Sequence, residues 1–177
     1  MKEILHHKTL DYVINYPDDY EEGKKFPLLI HLHGAGTRGN DISLVADTAV
    51  GPLGEINRGV RLPFIIAAPQ CPGKTWFEYS ETLLSLIDTL VAREDVDRSR
   101  VYLCGISMGG YACWQVATVR AELFAAVMPV CGGGMPWAAG YMKGLPVWAH
   151  HGALDGAVDV SNSIDMYKAL KRIGSEA

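Results

Sequence analysis

With 177 residues, 49% of them hydrophobic and 20% charged, the chain has the size of one domain (residues 1–177) and enough apolar side chains for a substantial core. Its formal charge of −4 argues against a surface for nucleic acid or an anionic membrane, and no apolar run reaches the ~18 residues of a membrane span. The start, Met1-Lys2-Glu3-Ile4-Leu5-His6-His7, has no signal-peptide run, so a cytoplasmic protein is the simplest expectation. Cys71, Cys104, Cys113 and Cys131 form no Cys-x-x-Cys pair and read as reduced thiols. No metal or cofactor is expected.

Residues 9–16 alternate loosely (Leu10, Tyr12, Ile14) and predict an edge strand, followed by a charged turn. Residues 27–33 are almost continuously apolar, as in a strand covered on both faces of a parallel sheet. The glycine-rich run Gly34-Ala35-Gly36-Thr37-Arg38-Gly39-Asn40-Asp41 is a loop, and without a following Gly-Lys-Ser/Thr it is no P-loop. Residues 62–68 read as a second buried strand ending at Pro69-Gln70-Cys71-Pro72-Gly73. Leu83, Leu84, Ile87, Leu90 and Val91 recur at helical spacing over residues 79–93. Asp95-Val96-Asp97-Arg98-Ser99 reads as a link.

Val101-Tyr102-Leu103-Cys104 then runs into Gly105-Ile106-Ser107-Met108-Gly109. A strand that turns sharply into a helix, with serine at the apex and glycine two residues to either side, lifts a hydroxyl over the sheet edge. The helix that follows, to about Arg120, points the positive end of its dipole at that serine. Further strands are predicted over residues 124–130 and 146–151, and a last helix from Ser161 carries Ile164, Tyr167, Leu170 and Ile173 on one face, with Gly174 to end it. Strands alternating with helices predict an α/β domain with a mostly parallel sheet and helices on both faces. Ligands of such sheets bind beyond the carboxyl ends of the strands, where the loops at Gly34, Ser107 and Asp155 fall.

In these motifs, from about residue 26 to 173, the chain resembles the α/β-hydrolase superfamily, and within it the phospholipase/carboxylesterase and predicted-peptidase esterases. The matching pieces are His33-Gly34-Ala35-Gly36, the segment from Ala68 to Trp76, Gly105 to Gly110, and His151-Gly152-Ala153-Leu154-Asp155. The resemblance implies Ser107 as nucleophile, Asp155 as the acid that orients a base histidine, and the backbone N–H groups of Ala35 and Met108 as oxyanion-hole donors. It implies close substrate approach at Gly36. Trp76 and Trp137 read equally as pocket walls or as packing residues, and Trp114 as core. Asp155 reads alternatively as a turn-former, and Asp159 as a helix cap.

The family's histidine, its preceding strand and its closing helix have no counterpart after Asp155. The six histidines are His6, His7, His31, His33, His150 and His151, none at the family's base position. His33 reads as a brace of its own loop and His31 as buried. The resemblance thus implies a C-terminally incomplete fold, either a truncated version of a longer hydrolase or one whose open sheet edge near residues 146–151 is covered by a second copy. Two functions stay open. One is a serine hydrolase acting on small carboxylesters or thioesters through an acyl-enzyme, impaired by the absent histidine. The other is a non-catalytic hydrolase-fold protein that binds a small acyl ligand or a partner.

Overall fold

The apolar run around Ile30 forms a central strand, β3 (Phe26–Leu32), of a six-stranded sheet in the computed structural model, which describes residues 1–175 and 177. The order is β1-β2-β4-β3-β5-β6, with β1 (Lys2–His7), β2 (Leu10–Asn15), β4 (Ile65–Pro69), β5 (Val96–Ile106) and β6 (Ala126–Val130). The pairs β3–β4, β3–β5 and β5–β6 are parallel, while β1–β2 and β2–β4 are antiparallel. The strand predicted at the edge is therefore internal, because β1 pairs outside it. Lys8, at φ 56°, turns the hairpin. The presumed link at residues 95–99 is mostly the charged first half of β5, whose Arg98, Ser99 and Arg100 are exposed.

Side-chain alternation along the strands divides the core in two. Leu28, Ile30 and Leu32 face a large cluster that takes in α3 (Ser80–Val91), α4 (Met108–Val119) and α5 (Ser161–Arg172). The opposite face is covered by two short helices, α1 (Ser43–Ala46) and α2 (Gly51–Asn57), through Val45, Ala46 and Leu53. Both short helices escape the sequence pattern. The three residues Gly51, Pro52 and Gly54 are poor helix formers, and seven residues are too few to show a period.

The segment predicted as a strand at residues 146–151 is reduced to two parallel bridges, Val127 to Val147 and Val130 to His150. Trp148 and His150 each donate a backbone N–H to β6, at 3.0 Å. Among the described residues, no helix is long and apolar enough to cross a membrane.

His31 is buried between β3 and α2, with Nδ1 3.2 Å from the Cys104 sulfur. A Cβ on Gly51 would lie 2.5 Å from its Nε2, so glycine is required there, at φ 70°. Burial pushes the imidazole from its ordinary 6.5 down to about 4. The unfolded chain therefore takes up the proton first as pH falls. The stability held above pH 6.5 is lost progressively as pH drops towards 4, with His31 contributing about 2 kcal/mol between pH 7 and pH 5. Urea midpoints at the two pH values should show this loss, and His31→Leu should flatten the slope.

Candidate active site

Ser107 follows the last residue of β5 and precedes the first of α4, with φ 54° and ψ −116°. Such a backbone costs a non-glycine residue about 1–3 kcal/mol, and it persists only where its surroundings enforce it. They do so by contact. A Cβ on Gly105 would sit 2.1 Å from the Gly109 carbonyl oxygen, and one on Gly109 would sit 1.9 Å from the Leu32 carbonyl oxygen. The two glycines let the start of α4 press directly on β5 and β3. The Ser107 N–H is anchored on the Val130 carbonyl at 2.8 Å.

The loop after β3 closes over this serine, so that a Cβ on Gly34 would come within 3.5 Å of the Ser107 Cβ. Ala35–Thr37 form one 3-10 turn, whose first N–H groups have no partner within it. The same holds for the N–H of Met108, the first residue of α4. His33 braces the loop, as expected. Its Nδ1–H donates to the Gly34 carbonyl at 2.6 Å, and its Nε2 accepts the Cys71 N–H at 2.9 Å. Both bonds suit one neutral tautomer, and burial lowers the imidazole pKa in keeping.

Ser107 and Ile106 line a cavity of about 330 Å³ with His31, Gly34, Ala35, Gly36, Thr37, Val45, Val50 and Leu53. Trp76 is not a pocket wall. It is 1% exposed, and its indole N–H donates to the His33 carbonyl at 3.1 Å beneath the loop. Trp137 is 79% exposed on the 3-10 segment Pro136–Met142, away from the cavity. Trp114 is core.

Asp155 lies in the loop after the segment paired to β6, at the same carboxyl end of the parallel strands as Ser107 but outside the cavity's lining. Its Oδ1 accepts the Val158 and Ala157 N–H groups at 3.0 and 2.9 Å, which hold the carboxyl below the usual carboxylate range. The other oxygen is 3.8 Å from Nε2 of His151. That imidazole is already engaged, with Nε2–H donating to the Val158 carbonyl at 2.8 Å and Nδ1 2.7 Å from the Ser163 hydroxyl. Asp159 accepts the Ser161 N–H at 2.8 Å just before α5, one residue ahead of the N-cap Val160, so it is not the cap that the sequence leads one to expect. Among the described residues, no side chain hydrogen-bonds the Ser107 hydroxyl, and no three His, Cys, Asp or Glu group into a metal site.

Residues 80–143 match the prolyl oligopeptidase family. A solved thermostable esterase superposes with a TM-score of 0.79 and 30% identity over 99% of this chain and 52% of its own. The chain has the α/β-hydrolase fold. The hydrolase fold is seen again in the feruloyl esterase module from Clostridium thermocellum complexed with sinapinate, at a TM-score of 0.73, 19% identity and 97% and 72% coverage. By sequence the chain is 29% identical over 168 residues to a probable feruloyl esterase C of Aspergillus oryzae and 24% identical over 160 residues to that of Aspergillus terreus. Each match takes in 88% of this chain but only 62% and 58% of the relative, so the chain spans about three fifths of their length.

The two kinds of glycine in this site should respond differently to an added methyl group. Gly109→Ala drives a carbon into backbone oxygens of Leu32 and His33 and should cost more than ~3 kcal/mol or prevent folding. Gly36→Ala meets nothing within 4 Å and should stay within ~0.5 kcal/mol of the parent. Urea denaturation of both variants measures the contrast.

Proposed function

We propose that this chain carries the nucleophile and oxyanion apparatus of a serine hydrolase acting on carboxylesters through an acyl-enzyme. The observation that carries the reading is the enforced backbone of Ser107 beside the free N–H groups of Met108 and Ala35. The Ser107 oxygen attacks the ester carbonyl, and the carbonyl oxygen takes up negative charge. The two N–H groups receive that charge, aided by the positive end of α4. Preorganised donors of this kind contribute about 10²–10³ each to the rate. The serine's proton leaves on the departing alkoxide as alcohol and the acyl group stays on Ser107; water then releases it as the acid and restores the hydroxyl.

Asp155 is the acid in this reading. Its ionisation, secured by the Val158 and Ala157 N–H groups, suits it to hold an imidazolium. His151 is not the base, because both its nitrogens already have partners. Turnover by these residues therefore draws on an imidazole outside the described contacts of Ser107. Where none reaches the hydroxyl, the residual catalysis is that of the oxyanion donors and binding alone. The same lack of a partner on the Ser107 hydroxyl favours the second reading, a protein that binds a small acyl ligand in this cavity without cleaving it.

The cavity's walls of Val45, Val50, Leu53 and Ile106 are apolar and its volume suits a compact acyl group. Together with the names of its relatives, this supports esters of small aromatic acids as the substrate class. Hydrolysis of p-nitrophenyl acetate and methyl ferulate tests the proposal. Turnover that draws on an imidazole should fall by at least ~10³-fold in Ser107→Ala, to the background of the donors alone. Turnover equal in the two proteins sinks the hydrolase reading, and saturable binding of ferulate without turnover establishes the second.

A further inference from the structure

The segment after β4 is the one sequence motif that the proposed reaction leaves without a task. Gln70 stands at its head, 1% exposed. Its Nε2 donates to two carbonyls of the loop after β3, Thr37 and Asp41, each at 2.9 Å. With acceptors on that side, the amide orientation is settled. The other end of the group, Oε1, is buried with no partner among the described residues. A buried acceptor left unpaired is a standing cost, so the side chain is held there for its donors.

The neighbours of Gln70 work on the same loop. The Gly39 N–H donates to the Cys71 carbonyl at 3.0 Å, and Arg38 spans from the Ala35 carbonyl to the Lys74 carbonyl, both at 2.9 Å. The result is a loop with an electrical sense. In a trans peptide, the C=O and the following N–H point to opposite sides. The Gly34 carbonyl is tied by His33 and the Ala35 carbonyl by Arg38, so the N–H groups of Ala35 and Gly36 point away from those ties. The inner peptides thus keep their donors free only while the outer arm, residues 37–41, holds its place.

We propose that Gln70 is the positioning residue of this loop: its one amide, bridging the Thr37 and Asp41 carbonyls, keeps the Ala35 N–H aimed at the oxygen that becomes charged on Ser107. The assignment rests on the hydrolase reading for its kinetic consequence and on the loop geometry alone for its structural one. Arg38 is exposed and replaceable by water, whereas the buried Gln70 is not. A 1 Å displacement of a donor is enough to forfeit ~10²-fold in rate.

Two arms test it, on the full chain. The first is hydrogen–deuterium exchange over residues 34–41 and, as reference, over α3. The second is steady-state hydrolysis of p-nitrophenyl acetate, with Ser107→Ala alongside. Gln70→Met keeps the volume and removes both donors. It should speed exchange by ~10-fold or more over residues 34–41 and leave α3 unchanged. In the same variant kcat should fall by ~10-fold or more, with KM within about 2-fold. Gln70→Asn withdraws the amide and should give the same pattern more weakly, standing in if the first variant does not fold.

Exchange equal to the parent in the loop overturns the proposal, as does an increase spread evenly over the chain, the mark of a merely structural residue. Faster loop exchange with kcat unchanged overturns it as well. If turnover is absent, or survives in Ser107→Ala, the hydrolase reading has failed instead, and the exchange arm alone decides whether Gln70 holds the loop.

Discussion

The site depends on one steric fact: the start of α4 touches the backbone of two strands at once. Gly105 lies against the Gly109 carbonyl, and Gly109 against that of Leu32. No side chain larger than hydrogen fits at either contact. The approach locks the end of β5 to the end of β3, and Ser107 is left with a backbone that only this enclosure maintains. Strain at the apex is offset by everything packed beneath it, from Trp114 and Cys113 on α4 to Leu103 on β5. The serine is thus part of a closely packed corner of the sheet, which is what a preorganised donor set needs.

A second layer of order is polar. Loop carbonyls between residues 33 and 41 are each tied by a side-chain donor, from Trp76, His33, Arg38 or Gln70. The N–H groups of Ala35 and Gly36 are left free, near the N-terminus of α4. A pocket with apolar walls and donors on one rim has an electrostatic direction before any ligand enters it. His33 fits this frame only as the neutral imidazole, because one nitrogen must give a proton and the other accept one. Trp76 belongs to the same frame, which explains why an indole near the site in sequence is absent from the cavity.

Much of this was legible in the sequence where the pattern was apolar or glycine-bearing. The elbow around Ser107, the central strand around Ile30 and the last helix with Gly174 behind it are read from such residues. What escaped did so for identifiable reasons. β1 alternates between exposed and half-buried positions, so it offers no apolar run, and its hairpin turns on Lys8 rather than on glycine. The first half of β5 is charged because it runs past the sheet's covered part. For Trp76, packing and pocket lining give the same residue type, and only the partner of its N–H separates them. The segment at residues 146–151 carries the composition of a strand, yet its pairing thins to two bridges.

The two faces of the sheet are held with unequal strength, and the cavity borrows from the weaker. Its walls Val45 and Leu53 belong to the small cluster, carried by helices of four and seven residues. Its floor, Ile106 and Ser107, belongs to the closely packed corner where α4 meets β3 and β5. Elements with few buried contacts open at the lowest free energy. By that rule the wall carried by α1 and α2 opens before the floor does, which makes it the side that adjusts to a ligand's width.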